Sequence, residues 1–555
     1  MGDHPATNLD ARHAETFPTL TERQIARMRS AGHERTLAAG EILFDQGDDR
    51  TTFCVVLEGA IQVVHPDASG EHPVTIHAPG GFTGELNILA GRRSLLRGRA
   101  LGPTRVLELD RAGLRAVVSS DAEISELLMR AFILRRVGLI NASQGDVVLL
   151  GSRHSAGTLR VQEFLTRNAH PHVTLDVETD PGAQALLDQF HVAITDIPIV
   201  ICRGERVLKN PTTPELADCL GLTEAIDPTK IRDLVIVGAG PAGLAAAVYG
   251  ASEGLDTLVL ETTAPGGQAG SSSKIENYLG FPTGISGMAL AGRAATQAEK
   301  FGADLAIARS ATRLDCTKRP YTVELASGES VRARTVVIAT GARYHKPDLA
   351  SLARFEGIGV YYSATAVEAR LCGTDEVIVV GGGNSAGQAV VYLARTARKV
   401  YVLVRHQLAD TMSRYLIRRI EETPNVEVLA QTEVVALEGE TDLERVTWEN
   451  RATHERVTRP IGHVFMMTGA SPNTEWLAGC AAVDDKGFVR AGSDLTPHDL
   501  AEAKWPLARA PYHFETSLPG VFAVGDVRAT SVKRVASAVG EGSICIQLVH
   551  KVLAE

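Results

Sequence analysis

Apolar and polar positions alternate along the first hundred residues in short runs: Glu41–Phe44, Phe53–Leu57, Ala60–His65, Val74–His77 and Arg105–Leu109. Gly47, Gly59, Gly70, Gly80, Gly81 and Gly84 punctuate them. Short strands at regular spacing with glycine turns predict a sandwich or roll. From Arg111 to Ile140 the period changes. Leu114, Val117, Val118, Ile124, Leu127, Leu128, Phe132 and Ile133 recur at helical spacing, which predicts one long helix. Residues 146–222 read βαβ then ββα: VVLLGS, a helix Leu159–Asn168, HVTLDVE, a helix Pro181–Phe190, the run IPIVICRGERVLKNP, and a closing helix Pro214–Leu220. After a polar linker, 223–230, one pattern occurs twice: apolar strand, glycine turn, small-residue helix, apolar strand. The first copy starts at Leu234–Val237 and ends at Glu261. The second starts at Val377–Val380 and ends at Val400–Val404.

The glycine turns carry chemistry. In Gly238-Ala239-Gly240-Pro241-Ala242-Gly243 the first glycine allows a tight turn, the second lets the backbone approach a diphosphate, and the third lets helix and sheet pack closely. The diphosphate then meets unpaired N–H groups at the helix start. Glu261 ends the second strand, where a carboxylate accepts hydrogen bonds from ribose hydroxyls, and this suits FAD. The second copy, Gly381-Gly382-Gly383-Asn384-Ser385-Ala386, runs into Val404-Arg405-His406 with no acid. Positive charge there suits the 2′-phosphate of NADPH over NADH, with Arg414 assisting.

With 555 residues, and roughly 150 per domain as a prior, the chain holds three or four domains. Hydrophobic content of 44% lets each bury a core. The net charge of −10 argues against nucleic acid and against an anionic membrane surface as partners. No apolar run of about 18 residues and no signal peptide are evident, so the expectation is a cytoplasmic protein with no membrane association. The seven cysteines form no CxxC pair, and their sparse, odd number points to reduced thiols, with Cys202 and Cys219 in packing positions. No metal-ligating cluster is evident, and scattered histidines such as His345 and His406 read as surface residues.

Three resemblances place these patterns. Gly47 in FDQGD, Gly59 in LEGAIQV and Phe82-Thr83-Gly84-Glu85-Leu86 make the N-terminal third resemble the cyclic-nucleotide-binding domain. That family implies that Glu85 holds the ribose and that a later arginine pairs the cyclic phosphate. Here Ser94 stands where the arginine belongs and Arg93 lies one residue out of register, which on a strand turns a side chain to the other face. Gly84, Glu85, Leu86, Arg93 and Ser94 are therefore candidates for a cyclic nucleotide. A β-roll kept for docking, or another anion held by Arg92, Arg93 or Arg97, stays open beside it.

The middle segment resembles a thioredoxin or glutaredoxin fold, including Ile197-Pro198 where that family has a cis-proline. His154-Ser155-Ala156-Gly157-Thr158 replaces the CxxC, so it reads as a redox-silent module.

Residues 231–555 resemble the low-molecular-weight thioredoxin reductases through Gly266-Gly267-Gln268, IENYLGFP, VIATGA, the second glycine box, VFAVGDVR and KRVASAVGEGS. The resemblance implies FAD contacts at Gly267, Gln268, Asn277, Thr340, Gly341, Gly525 and Asp526. It also puts the flavin ring at a helix start formed by Arg534, Val535 and Ala536, and it implies a homodimer. The family's Cys-Ala-Thr-Cys motif is Ser363-Ala364-Thr365-Ala366 here, so disulfide exchange lacks both sulfurs. Cys372, six residues on, is the nearest thiol and reads as packing.

The expected architecture is multidomain α/β: tail 1–19, a cyclic-nucleotide-binding-like β-roll 20–145, a thioredoxin-like domain 146–222, linker 223–230, then two Rossmann-like dinucleotide domains. Of these, FAD takes 231–345 and 470–555, and NADPH takes 346–469. Three functions stay open: an FAD-dependent NADPH oxidoreductase with an unidentified acceptor other than an internal disulfide, regulated by the N-terminal domain; a sensor with little turnover; and a disulfide reductase using Cys372 or partner cysteines.

Overall fold

The computed structural model describes residues 13–555 except 49–51, 68–69, 85, 91, 142–146, 153–154, 181–182, 184–187, 189–195, 203–205, 224–225, 273, 276, 345, 350, 357, 363, 365, 441 and 469. Glu85, His154, His345, Ser363, Thr365 and most of the expected helix Pro181–Phe190 thus lie outside the described residues.

The N-terminal strands form two antiparallel sheets. One orders His33–Leu37, Thr104–Leu109 and Phe53–Glu58; the other orders Ile42–Phe44, Arg97–Ala100, Ile61–Asp67 and Gly70–His77. Leu37, Phe44, Val56, Ile61, Val63 and Val106, drawn from both sheets, share one core. The strands His33–Leu37 and Arg97–Ala100 were not anticipated, because they are held partly by charge. Arg35 pairs Glu41 and Glu108, Arg105 pairs Glu34, and Arg97 pairs Asp45.

The single helix expected over Arg111–Ile140 is two, Arg111–Ser120 and Ala122–Asn141. The break is Asp121, which takes an extended conformation (φ −119°, ψ 103°), and its carboxylate accepts from the Ile124 amide at 3.1 Å. A short acid that caps a new helix overrides an uninterrupted apolar period.

Residues 147–222 form a four-stranded sheet ordered Arg206–Lys209, Ile199–Cys202, Val147–Gly151, Val173–Asp176. Only the last pair is parallel. The helices Ala156–Arg167 and Thr213–Cys219 accompany it, and the Ile197–Pro198 peptide is cis. Its core is not private. Ile307 and Ala308, at the end of strand Asp304–Ile307, join Val147, Phe164, Val200 and Leu216 in one buried cluster.

The reading of the cysteines as reduced packing residues is corrected here. Cys202 is bonded to Cys219 and Cys316 to Cys480. Cys202 and Cys219 come from a strand and a helix packed in the same cluster, so burial and bonding coexist. The second pair spans 164 residues, a proximity that spacing in the chain does not reveal. Cys54, Cys372 and Cys545 are buried thiols. The argument for a reducing compartment therefore loses its footing. No helix among the described residues is long and apolar enough to cross a membrane.

The C-terminal half has a sheet ordered Asp304–Ile307, Thr257–Glu261, Ile231–Val237, Ser330–Ile338, Tyr321–Leu325, Ala311–Asp315, with Val521–Ala523 added parallel to Ser330–Ile338. Helices Pro241–Ser252 and Val535–Ala554 pack on it through small side chains. A methyl on Gly542 would collide with the Ala242 carbonyl. Between these parts the chain builds a parallel sheet ordered Val360–Tyr361, Val464–Met466, Glu376–Val380, Lys399–Val404, Val426–Ala430. It leaves and returns through an antiparallel pair, Ala342–Tyr344 against Ala470–Pro472.

One buried charge ties the end of the chain to this half. Glu515 is fully buried and accepts from Arg509 (2.6 and 3.1 Å), the Tyr512 amide (2.9 Å) and the Gly520 amide (2.8 Å). Removing one member of such a network strands the others away from water. Glu515→Ala is expected to cost about 3–5 kcal/mol, seen as a lowered unfolding midpoint in thermal melts. Glu555→Ala, which removes the more exposed partner of the same arginine, should cost less than about 1 kcal/mol.

Candidate functional site

The first glycine turn joins strand Ile231–Val237 to helix Pro241–Ser252, and the three glycines differ in what they require. Gly238 has φ +105°, and a side chain there would meet the Ala339 backbone; one on Gly243 would run into the Gly238 carbonyl. Fold alone accounts for both. Gly240 is different: a Cβ built on it meets nothing within 4 Å. The helix begins there with no side-chain cap, so its first N–H groups open into free space, which is the setting in which a diphosphate is bound. The second box repeats the arrangement. A side chain on Gly381 (φ +141°) would strike the Met467 carbonyl, Gly383 has nothing within 4 Å, and helix Asn384–Leu393 starts without a side-chain cap.

Both helix starts open on one cavity of about 870 Å³. From the first dinucleotide fold it is lined by Gly238, Gly240, Pro241, Ala242 and Glu261. Gly267, Gln268, Asn277, Thr340 and Gly341 follow, then Gly525, Asp526, Arg534 and Val535 from the chain's last part. Asn384, Ser385 and Gln388 of the inserted domain line the same space. Gly243 and Ala536 are not on its wall; Gly243 acts through packing, and Ala536 sits in the first turn of helix Val535–Ala554. That helix, too, starts without a side-chain cap, at Arg534.

Several lining groups are already oriented. The Glu261 carboxylate accepts from the amides of Ala239 (2.8 Å), Thr263 (2.9 Å) and Ala264 (3.3 Å), which shapes the glycine turn around the cavity. Gln268 donates to the Ala342 carbonyl. Thr340 and Asn473 exchange side-chain to backbone bonds of 2.8 and 2.9 Å. Glu541 holds the turn at Gly525–Val527 by accepting from the Gly525 amide (2.7 Å) and from Arg528 (2.7 Å). Burial pushes the Asp526 carboxyl upward and the neighbouring Lys533 ammonium downward.

At the far end of the second fold, Arg405, His406 and Arg414 are exposed, and neither arginine has an ion-pair partner among the described residues. Ala386 is buried beneath the second glycine turn. Cys372 is 1% exposed and sits in the core of the inserted domain, and among the described residues no cysteine lines the large cavity. Sequence reasoning missed Arg167, Arg309, Asn473, Trp476 and Lys533, which also line the cavity. Lys533 opens the KRVASAVGEGS motif without having been singled out; the other four reach the cavity from outside the motifs.

The N-terminal roll has a separate, mainly apolar cavity of about 330 Å³, lined among others by Thr16, Phe17, His77, Gly84, Ser94 and Arg135. The segment 13–19, expected to be tail, thus helps to close it. Ser94 lines this space with its hydroxyl donated to the Leu96 carbonyl at 2.8 Å. The cassette arginines point elsewhere. Arg92 pairs Glu299 (3.3 Å), Arg93 packs against Gly221, and Arg97 is shared by Asp45 and Glu71 at 2.8 Å each. None of Arg92, Arg93 and Arg97 lines this cavity. Leu86 begins the short helix Leu86–Ala90, and burial pushes the His77 imidazole down to about 3, so it is neutral.

A fold with two dinucleotide sites that share one cavity is that of a flavin-dependent pyridine nucleotide oxidoreductase. The chain belongs to the pyridine nucleotide-disulphide oxidoreductase family, whose model matches residues 232–542. A cyclic nucleotide-binding domain model matches residues 34–121. Thioredoxin reductase of Listeria monocytogenes is 31% identical over 329 residues, covering 59% of this chain and 95% of that one. The Bacillus subtilis thioredoxin reductase is 32% identical over 327 residues, covering 59% and 96%. Among solved structures, Lactococcus lactis thioredoxin reductase in its FR conformation superposes with a TM-score of 0.52 at 26% identity, covering 58% of this chain and 99% of that one. The chain is an oxidoreductase enzyme whose cofactors are FAD and NADPH.

The residues present fit those groups, since Gly240 and Gly383 leave open space beside two uncapped helix starts, room that a diphosphate would fill. Gly240→Val is accordingly expected to fold with an unchanged melting midpoint as apoprotein while losing FAD at least tenfold in affinity. Gly243→Val should fail to fold. Flavin absorbance of the purified proteins and thermal melts check both.

Proposed function

We propose that the protein is an FAD-dependent NADPH oxidoreductase that hands electrons to an acceptor other than an internal disulfide. The observation that carries this reading is the single cavity into which both glycine-box helices open. FAD, when bound, supplies a two-electron carrier between the nicotinamide and the acceptor. The chain's own residues hold and orient. Gly238, Gly240 and Gly243 shape the FAD diphosphate seat, Glu261 holds the ribose, Asp526 the ribityl chain, and the start of helix Val535–Ala554 faces the flavin ring, where its dipole favours negative charge. Gly381, Gly383, Asn384, Ser385 and Ala386 seat the nicotinamide dinucleotide, with Arg405, His406 and Arg414 around its 2′-phosphate. Hydride transfer would need donor and acceptor within about 3–3.5 Å, and this shared cavity is where the two groups would meet.

The acceptor is argued from what the chain lacks. The sequence has no CxxC, the thiol of Cys372 is packed in a core, and the disulfides Cys202–Cys219 and Cys316–Cys480 contribute no residue to the cavity wall. A quinone, a dye-like oxidant, oxygen or an iron–sulfur or flavin carrier protein fits this better than thiol exchange. The thioredoxin-like segment, which holds the buried Cys202–Cys219 disulfide but no CxxC, acts as a scaffold, and the roll as a docking domain that regulates the flavoprotein half. In support of that coupling, Arg92 pairs Glu299, and Arg111 and Arg115 approach Asp304 at 4.0 and 3.9 Å. Those contacts also favour a second reading, a sensor in which the flavin's redox state is reported through the roll with little turnover. The exposed apolar side chains Tyr249, Met288, Leu279 and Ile544 of the flavoprotein half support a homodimer.

Steady-state NADPH oxidation with quinones, dyes and carrier proteins is expected to proceed at an unchanged rate in Cys372→Ser. Flavin bleaching without turnover on any acceptor would instead mark the sensor. Arg405→Ala combined with Arg414→Ala should raise the KM for NADPH by about tenfold or more and leave that for NADH nearly unchanged, which initial-rate kinetics with both nucleotides would show.

A further inference from the structure

The thioredoxin-like segment has no thiol at the position its redox relatives use, yet one of its side chains stands in the wall of the large cavity. Arg167 is the last residue of helix Ala156–Arg167. Its Nη2 donates to the Gly267 carbonyl at 2.8 Å, and Gly267 lies so close to Gly240 that a Cβ built on it would sit 3.1 Å from the Gly240 Cα. Gly240 is the residue whose open face and uncapped helix start seat the diphosphate. The guanidinium is thus held one residue away from the place where two negative charges are to sit. Its carboxylate contact is loose: Glu163, on the same helix, lies 3.4 Å from Nη1 and is itself only half-buried. Its Nε is shielded from solvent and has no hydrogen-bond partner.

The arginine cannot swing freely, because the residues around it are pinned. Asn168 is buried and donates to the Phe164 carbonyl (2.9 Å) and across the interface to the Thr263 carbonyl (3.1 Å). The Ala169 carbonyl accepts from Arg136 of the roll's helix Ala122–Asn141 at 3.0 Å. Beneath them the module shares its core with Ile307 and Ala308 of the flavoprotein half. A buried donor without a partner, fixed beside an anion seat, is a group placed for an absent charge.

We propose that Arg167 is a cofactor-binding residue, supplied by the thioredoxin-like module, whose guanidinium pairs with the FAD diphosphate and so completes a site that the flavoprotein half forms only in part. This rests on the assignment of the first glycine box to FAD.

The test is a titration of full-length apoprotein with FAD, followed by quenching of flavin fluorescence at several salt concentrations. Two variants are compared with the parent chain. Arg167→Gln keeps a donor for the Gly267 carbonyl and loses the charge; Asn168→Ala removes the neighbouring interface bond and keeps the charge. Arg167→Gln is expected to weaken FAD about ten- to hundredfold and to flatten the salt dependence of binding, with an unchanged melting midpoint of the apoprotein. Asn168→Ala should keep the salt dependence of the parent. Equal affinity of Arg167→Gln and parent, or equal weakening in both variants with parental salt dependence, overturns the proposal. If Arg167→Gln does not fold, Arg167→Lys, which keeps a charge without the planar fork, is expected to restore the salt dependence with an intermediate affinity; affinity equal to the parent's overturns the proposal. Failure of the parent itself to bind FAD strikes the FAD assignment instead.

Discussion

The first N–H groups of an α-helix have no partner within the helix, and a protein that leaves them bare must give them something else to bind. Three helices here, beginning at Pro241, Asn384 and Val535, start without a side-chain cap, and residues at or near each start line the same cavity. Much of the flavoprotein half follows from keeping those starts aligned. Parallel strands end beneath them, helix Val535–Ala554 lies so close on helix Pro241–Ser252 that Gly542 has no room for a side chain, and the inserted domain hangs from two short paired strands. Glu541 and Glu261, each accepting from backbone amides, stiffen the loops that bring the ends together. Charge and dipole are thus set before any ligand arrives, the condition under which electrostatic binding needs little reorganisation.

The parts of this arrangement that were readable from the sequence are local ones. A glycine turn between an apolar strand and a small-residue helix is contained in about thirty residues, and its three glycines answer to three different constraints that the geometry separates one by one. The distinction between Glu261 and Arg405 at the ends of the matching strands is local as well. What could not be read was contributed across long separations: Arg167 and Asn473 reach the cavity from a different module and from beyond the inserted domain, and Cys316 meets Cys480 after a detour of 164 residues. The roll shows a second kind of miss. Strands His33–Leu37 and Arg97–Ala100 carry too few apolar residues to register as strands, because cross-strand ion pairs stand where apolar contacts usually lie. The helix break at Asp121 was legible in principle, since an acid followed by Ala-Glu-Ile is a helix start, but a persistent apolar period masked it.

The roll shows how one residue's register changes which side chain faces a cavity. With Ser94 rather than Arg93 facing inward, the described wall of its cavity offers hydroxyls, a neutral His77 and Arg135, whose guanidinium is already committed to the carbonyls of Thr16, Phe82 and Gly84. Of the neighbouring arginines, Arg93 packs against Gly221 and Arg92 pairs Glu299, both on the side of the other domains. Arg92 thus contributes its charge to an interface with the flavoprotein half.

That exchange bears on what the module of residues 147–222 does in the chain. Its core is continuous with that of the flavoprotein half: Ile307 is fully buried only because Val147, Phe164 and Leu216 cover it, and a large aliphatic side chain stripped of such cover loses roughly 1.5–3 kcal/mol. Deleting the module would expose that strand end, free the Thr263 and Gly267 carbonyls, and open the turn that borders the diphosphate seat. The surface that matters to the flavoprotein half lies at the C-terminal end of helix Ala156–Arg167, where Arg167 is built into the cavity wall.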